Sequence, residues 1–380
     1  MSPKTVRTTV AVALAAAGLG AATTAPALAS PVASPETEVT CGTVVTSDLV
    51  LTADLVCSGT ALVVGADGLR IDLAGHTLRG PDGVGSGIEV GDRDKTTVDN
   101  GTISGFASGI SATGGDAKYS WTRLTVSRTR LTGNARIRLT SATATISGTP
   151  QNCVLDGLSA VRSTVTVNGC TVHNGVLLDR SRGTIRSSAL SGGALRLDGA
   201  TDGFYGDNVF DGFGVLVQGR SARNLFAGNT MRNTATAVSV TTSQAPGVTN
   251  TFKDNLVRDT NIGFLAHDAT GFALWGNRFV TNRSAGVLID NAGDRPTSEW
   301  VAGNVFTGNG SRPNGTRDRD GNPVRGGIHV RTVPGARINL ARNTGAANTG
   351  PLIWAPPGQA VDGGGNQGPC LPVPSDLACG

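Results

Sequence analysis

His267, Asp290 and Arg331 fall at matching places in this chain, and their side chains suit acid–base chemistry on an acidic sugar. Each directly follows an alternating apolar run: Gly263-Phe-Leu-Ala266, Gly286-Val-Leu-Ile289 and Gly327-Ile-His-Val330. A histidine beside a carboxylate is fixed in one tautomer and made more basic. An arginine fork neutralises a carboxylate, which a lyase needs before its base removes the adjacent C–H proton. Asp179 and Asp198 follow two earlier runs and offer the other chemistry, because paired carboxylates act as acid and base in glycoside hydrolysis. Gln218 and Thr241 fill the same place in the passes between. Gln218, His329 in the neighbouring outward position and Trp300 are the candidate substrate contacts. The plainer alternative is that opposite charges in register are solvated cross-strand pairs.

What must position these residues is a repeat. Asn208, Asn229, Asn255, Asn277 and Asn304 recur every ~21–27 residues, a period that marks a solenoid. An apolar residue stands two places after each, and a small residue opening an apolar triplet follows. Period-two alternation broken by Gly, Asn, Asp and Ser suits half-buried strands. Such short strands bury a face only by stacking on their neighbours. Stacking puts the asparagines at one corner, where their amides can bond to each other along the axis.

Rungs of the form Gly-Asn-x-Phe-x-x-Asn-x-x-x-Gly-Val-x-Ile resemble those of the right-handed parallel β-helix repeat proteins. These are the pectin-lyase-like superfamily, with its carbohydrate-binding and sugar-hydrolase repeats. Ile71-Asp-Leu-Ala-Gly-His-Thr-Leu78 is similar to the first-rung motif of secreted bacterial β-helix proteins. The resemblance implies an all-β, single-domain right-handed parallel β-helix of roughly a dozen coils over residues 41–357. It also implies that substrate lies along an outer strand face walled by insertions. Two insertions, 291–299 and 309–325, leave the repeat beside His267, Asp290, His329 and Arg331.

At the start of the chain, Lys4 and Arg7, an apolar stretch from Val10 to Leu19 and Ala27-Leu-Ala29 read as a signal peptide over 1–29. A flexible leader over 30–40 follows. The expected product is secreted, has no membrane span and is a monomer. The whole chain carries +4, and the signal peptide holds two basic and no acidic residues, so the exported protein carries about +2. That excludes a strongly basic nucleic-acid binder. Six cysteines in an exported chain should pair. Fifteen pairings are open, and spacing favours Cys41–Cys57, Cys153–Cys170 and Cys370–Cys379. Cys153 and Cys170 occupy the place that Ser188 and then Asn208 take in later rungs, about one strand spacing apart and within disulfide reach. The last pair staples a tail over 358–380.

His76 sits in a Gly-His-Thr turn and His173 beside Cys170, both places for structural residues. Lysine is scarce beyond the leader, with Lys95, Lys118 and Lys253 as the candidates for a lysine base. No phosphate loop, Cys-x-x-Cys pair or His-Glu-x-x-His motif is present, and no metal ligand or certain cofactor is assigned. Asp318-Arg-Asp320-Gly-Asn322 faintly resembles a calcium loop but lacks its distal Glu, which makes a plain turn the better reading and leaves calcium without a clear motif. The residue sets of pectate lyases and polygalacturonases are not matched. The expectation is a secreted protein acting on an extracellular polysaccharide, as a lyase or hydrolase of an acidic glycan. The alternative is a non-catalytic glycan-binding or cell-surface structural β-helix.

Overall fold

The alternating triplets form forty short strands, with no helix among the described residues. The structure is a computed structural model and describes residues 39–115, 122–245, 248–293, 299–333, 335, 338–372 and 376–380. The expected signal peptide, residues 30–38 of the leader, Lys118 and residues 294–298 of the shorter insertion lie outside the described residues. Fifteen strands, from Thr43–Val45 to Cys370–Leu371, stack into one wall and make about fourteen turns, close to the dozen expected. A second wall carries strands such as Phe204–Gly206, Leu225–Ala227, Asn250–Lys253, Phe272–Trp275 and Trp300–Ala302. A third carries Val209–Asp211, Thr230–Arg232, Leu256–Arg258 and Arg278–Val280. The named strands pair in parallel throughout, so the fold is the expected parallel β-helix. Parallel pairing runs on past residue 357, where Ala360–Asp362 pairs with Ile338–Ala341 and Cys370–Leu371 with Ile353–Trp354.

The asparagine ladder sits between the second and third walls. Asn229 Oδ1 accepts from Asn208 N at 3.0 Å and from Asn208 Nδ2 at 3.1 Å. Its own amide donates to Asn255 Oδ1 at 2.9 Å and to Tyr205 O at 2.8 Å. The side chain is buried with its polar capacity met, the condition under which a buried amide stabilises a fold. The ladder continues through Asn277, Asn304, Asn343 and Asn366. The residue before each asparagine turns the corner with a left-handed backbone, as at Gly228 (φ 66°) and Asp254 (φ 53°). At its early end Cys170 N bonds to Ser188 Oγ and Ser188 N to Asn208 Oδ1, so the cysteine, serine and asparagine share one corner as the sequence implies. A further ladder between the third and first walls, Thr260, Asn282, Asn309 and Asn348, is not apparent from the repeat.

Inside, aromatic rings follow the strand register. Tyr205, Phe226 and Phe252 stack with centroids 4.6 and 4.7 Å apart, and Phe279 on Phe306 at 5.0 Å. Each such ring contributes roughly 1.5–3 kcal/mol by leaving water. All six cysteines form the three disulfides that spacing favours, with Cα separations of 5.6, 4.8 and 6.0 Å in chain order.

Candidate functional site

The outward column expected from the triplets exists in register on the first wall. Asp179 pairs with Asp198, Asp198 with Gln218, Gln218 with Thr241, His267 with Asp290, and Asp290 with Arg331. The neighbouring outward column runs Leu265, Leu288, His329, Trp354. Inward residues such as Val287, Ile289, Ile328 and Val330 are buried, which locks the alternation and sends their neighbours outward.

The contacts those side chains make differ from the expectation. Among the described residues no hydrogen bond joins His267 to Asp290. Instead the insertion folds over the column, and three consecutive residues engage it in turn. Asp318 takes the Nε2 of His329 at 2.9 Å, with both side chains essentially inaccessible. Arg319 places Nη2 2.8 Å from His267 Nε2, bonds the Asp268 carboxylate and holds Nε 3.7 Å from Asp290 Oδ1. Asp320 receives Arg331 Nε at 3.0 Å and Nη2 at 2.8 Å. A guanidinium only donates, so His267 Nε2 must accept, and its proton sits on Nδ1.

Local chemistry shapes the insertion. Arg317 bridges to Pro323 as an antiparallel pair, making a tight hairpin. Asp318 ties its turn by accepting from Asp320 N at 3.0 Å, Asn322 N at 2.8 Å and Asn322 Nδ2 at 3.0 Å. These are the bonds of an aspartate-nucleated turn, with the carboxylate turned in toward His329 rather than toward a cation.

Burial and charge set the protonation states. Burial pulls His329 below the ordinary imidazole range, and Asp318 only partly offsets it. The pair is therefore a neutral imidazole donating to a carboxylate. Burial raises Asp318, but bonds from His329 and Asn322 outweigh it and hold the group low. Asp290 goes the other way: burial pushes its carboxyl up, beyond what the Arg319 and Arg331 charges restore. Its Oδ1 has no hydrogen-bond partner, and the side chain is 9% exposed. The Arg331 bond holds Asp320 below the ordinary carboxylate range.

The other candidates are dispersed. Asp179 is taken by Arg180 (Nε to Oδ1 3.1 Å), and Asp198 by Gln218 Nε2 at 3.0 Å and Arg196 at 3.5 Å. Trp300 lies on the second wall, stacked beside Trp275, and not in the charged column. His173 closes strand Thr171–His173 and bonds Ser191, its partner in register, rather than sitting in a turn, while His76, just after a turn, faces Asp54. Arg319 and Asp268 are members that the sequence reading missed. The available signal was the alternating Asp-Arg-Asp of the insertion, complementary to the outward His329 and Arg331.

A family profile described as "Periplasmic copper-binding protein (NosD)" matches residues 84–322. No curated protein matches. Among solved structures, the mannuronan C-5 epimerase AlgE6 A-module of Azotobacter vinelandii is similar at 14% identity and TM-score 0.43, covering 88% of each chain. A periplasmic alginate epimerase AlgG double mutant is similar at 13% identity and TM-score 0.41, covering 79% of this chain and 76% of that one. Tailspike protein 3 of bacteriophage CBA120 is similar at 12% identity and TM-score 0.27, covering 88% of this chain and 56% of that one.

Proposed function

This chain belongs to the periplasmic copper-binding protein (NosD) family, and we propose that it is an exported β-helix that binds an acidic polysaccharide along its outward column without cleaving it. The observation that carries this reading is the Arg331 fork, which holds the Asp320 carboxylate in the two-bond geometry that also suits a uronate. The Asp320 side chain is 52% exposed, so a sugar carboxylate can replace it. Catalysis is disfavoured because the would-be base faces a guanidinium and each of Asp179 and Asp198 has a partner of its own. Export fits the three disulfides, which persist in oxidising compartments. Among the described residues, no helix is long and apolar enough to cross a membrane.

The lyase reading keeps one observation in its favour, the buried and under-partnered Asp290 beside His267. The family description names copper, and the residues of this chain do not fit that ion. Every cysteine is in a disulfide, Met231 is buried in the core, and each of the four histidines has its own protein partner. Among the described residues no group of three or more His, Cys, Asp or Glu is placed to hold a metal.

The test is a panel of acidic and neutral polysaccharides incubated with the purified protein. Binding is read by calorimetry, and products by mass spectrometry. Retention of acidic glycans at unchanged mass supports the proposal. Unsaturated or hydrated fragments would replace it with a lyase or hydrolase, and no binding to any glycan would overturn it.

A further inference from the structure

Aromatic side chains of this protein are mostly core residues, and the second wall holds an exception. Trp275 closes strand Phe272–Trp275 and Trp300 opens Trp300–Ala302, in adjacent coils. Both point outward, since Leu274 and Val301 between them and their neighbours are fully buried. The register sets Trp300 opposite Ala273 and Trp275 opposite Ala302, a diagonal of large and small residues. Diagonal neighbours on paired strands stand about 7–8 Å apart at the backbone. The indole centroids are 5.7 Å apart at 21°, so the rings lean toward each other across the two alanines. Those alanines face outward yet are 5% and 1% exposed, while Trp300 keeps 38% of its surface open. Lys253 stands one coil before Trp275 in direct register, and its ammonium is paired only loosely, 3.7 Å from Asp254 on an exposed surface. Phe204, four coils earlier in the Trp300 column, is already covered by Arg186 at 4.2 Å.

We propose that Trp275, Trp300 and Lys253 form a binding subsite for an acidic pyranose residue, on a wall separate from the charged column. This rests on the reading of the protein as an acidic-glycan binder. The C–H face of a pyranose is apolar and slightly positive, and it stacks on the negative face of an indole. A carboxylate on that ring reaches the Lys253 ammonium, because the lysine is one strand spacing (~4.8 Å) along the axis. A protein partner is a poorer fit: a stable protein interface takes about 800 Å² per side, whereas this pair is bordered by Thr251, Lys253 and Asn339 in the same two columns.

Calorimetric titration with acidic and neutral oligosaccharides of equal length tests the subsite. The proteins compared are the wild type, Trp275→Ala/Trp300→Ala, Trp300→Phe and Lys253→Gln. The double variant should bind acidic oligosaccharide about tenfold more weakly, the loss of roughly one stacking contact. Trp300→Phe should stay near wild type, which separates lost stacking from lost folding. Lys253→Gln should weaken the acidic ligand and leave any neutral one unchanged. Equal affinity of wild type and double variant, at equal melting temperature, overturns the subsite and leaves the acidic-glycan reading standing. A wild type that binds neutral sugars alone, with loss in the double variant, keeps the aromatic platform and overturns the acidic reading. A wild type that binds no oligosaccharide overturns both.

Discussion

Arg331 grips Asp320 with two nitrogens, Nε at 3.0 Å from one carboxylate oxygen and Nη2 at 2.8 Å from the other. The arginine is anchored from behind, since its Nη1 donates to the Asn291 carbonyl at 2.8 Å. The aspartate side of the pair is the more open to solvent, 52% exposed against 17% for the arginine. Asp320 therefore competes with any carboxylate that approaches Arg331. Asp320→Asn should tighten binding of acidic oligosaccharides, and Arg331→Gln should weaken it, both read by calorimetry. Weaker binding in Asp320→Asn would show that the aspartate belongs to the ligand site rather than competing with it.

The His329–Asp318 pair two residues away is structural. Both side chains are sealed, and His329 also stacks on Trp354 with centroids 4.1 Å apart. Burial lowers the His329 pKa, so the unfolded chain takes up a proton first as pH falls. The stability this neutral pair contributes is present above the ordinary imidazole pKa and is lost as pH drops below it. His329→Gln keeps a donor toward Asp318 and does not titrate. Its melting temperature should fall less than that of the wild type between pH 7 and pH 5. Asp318→Ala strands a buried donor, at a cost of about 1–3 kcal/mol. An unchanged melting temperature in that variant would mean the insertion is not anchored there.

The column could be read from sequence because its register is not free. Val215, Val217, Ile289 and Val330 must face inward, and a slip by one residue would send them into water. With the inward set fixed, the outward residues Gln218, Asp290 and Arg331 follow without knowledge of the coil's shape. What covers the column could not be read in this way. Asp318 and Asp320 belong to an aperiodic hairpin whose position depends on the turn that Asp318 itself nucleates. The ladder of Asn282, Asn309 and Asn348 was hidden for a related reason. The insertion after Asn309 breaks the spacing, so its asparagines look like loop residues although Asn282 and Asn309 are fully buried.

Asn277 shows how much the main ladder contributes. Its Oδ1 accepts from Asn255 N at 3.0 Å and Nδ2 at 2.9 Å, and its Nδ2 donates to Phe252 O at 2.9 Å and Asn304 Oδ1 at 3.0 Å. Asn277→Ala leaves several buried groups without partners and should cost about 2–4 kcal/mol in denaturant unfolding. Asn277→Asp, nearly identical in shape, should be at least as harmful. A carboxylate cannot donate to the Phe252 carbonyl or to Asn304, and it would be a buried charge. A mild Asn277→Asp variant would show that shape rather than donation holds the corner.

Copper should not be retained. With the cysteines paired and the histidines dispersed, equilibrium dialysis at neutral pH should leave no stoichiometric copper on the protein. Chelators should not change the melting temperature. A bound ion that survives dialysis, and is lost in His267→Ala, would place a metal where Arg319 now sits.

Arg319 bridges three groups, and its removal should expose the strain at Asp290. The Asp290 carboxyl is already raised by burial, and Arg319 is the first of the charges that counter it. A group whose folded pKa is raised favours the folded state at low pH, and that advantage is lost as pH rises through the folded value. Arg319→Ala raises the group further, so the variant should lie close to wild type near pH 4 and fall behind it by pH 7. The gap should reach about 1–2 kcal/mol, below the cost of breaking a tightly bonded buried pair, because the Nε–Oδ1 contact is loose. Adding Asp290→Asn to Arg319→Ala removes the titrating group and should close most of the pH-dependent part of the gap. A gap that is flat with pH, or one that Asp290→Asn leaves untouched, would assign the role of Arg319 to His267 and Asp268 instead.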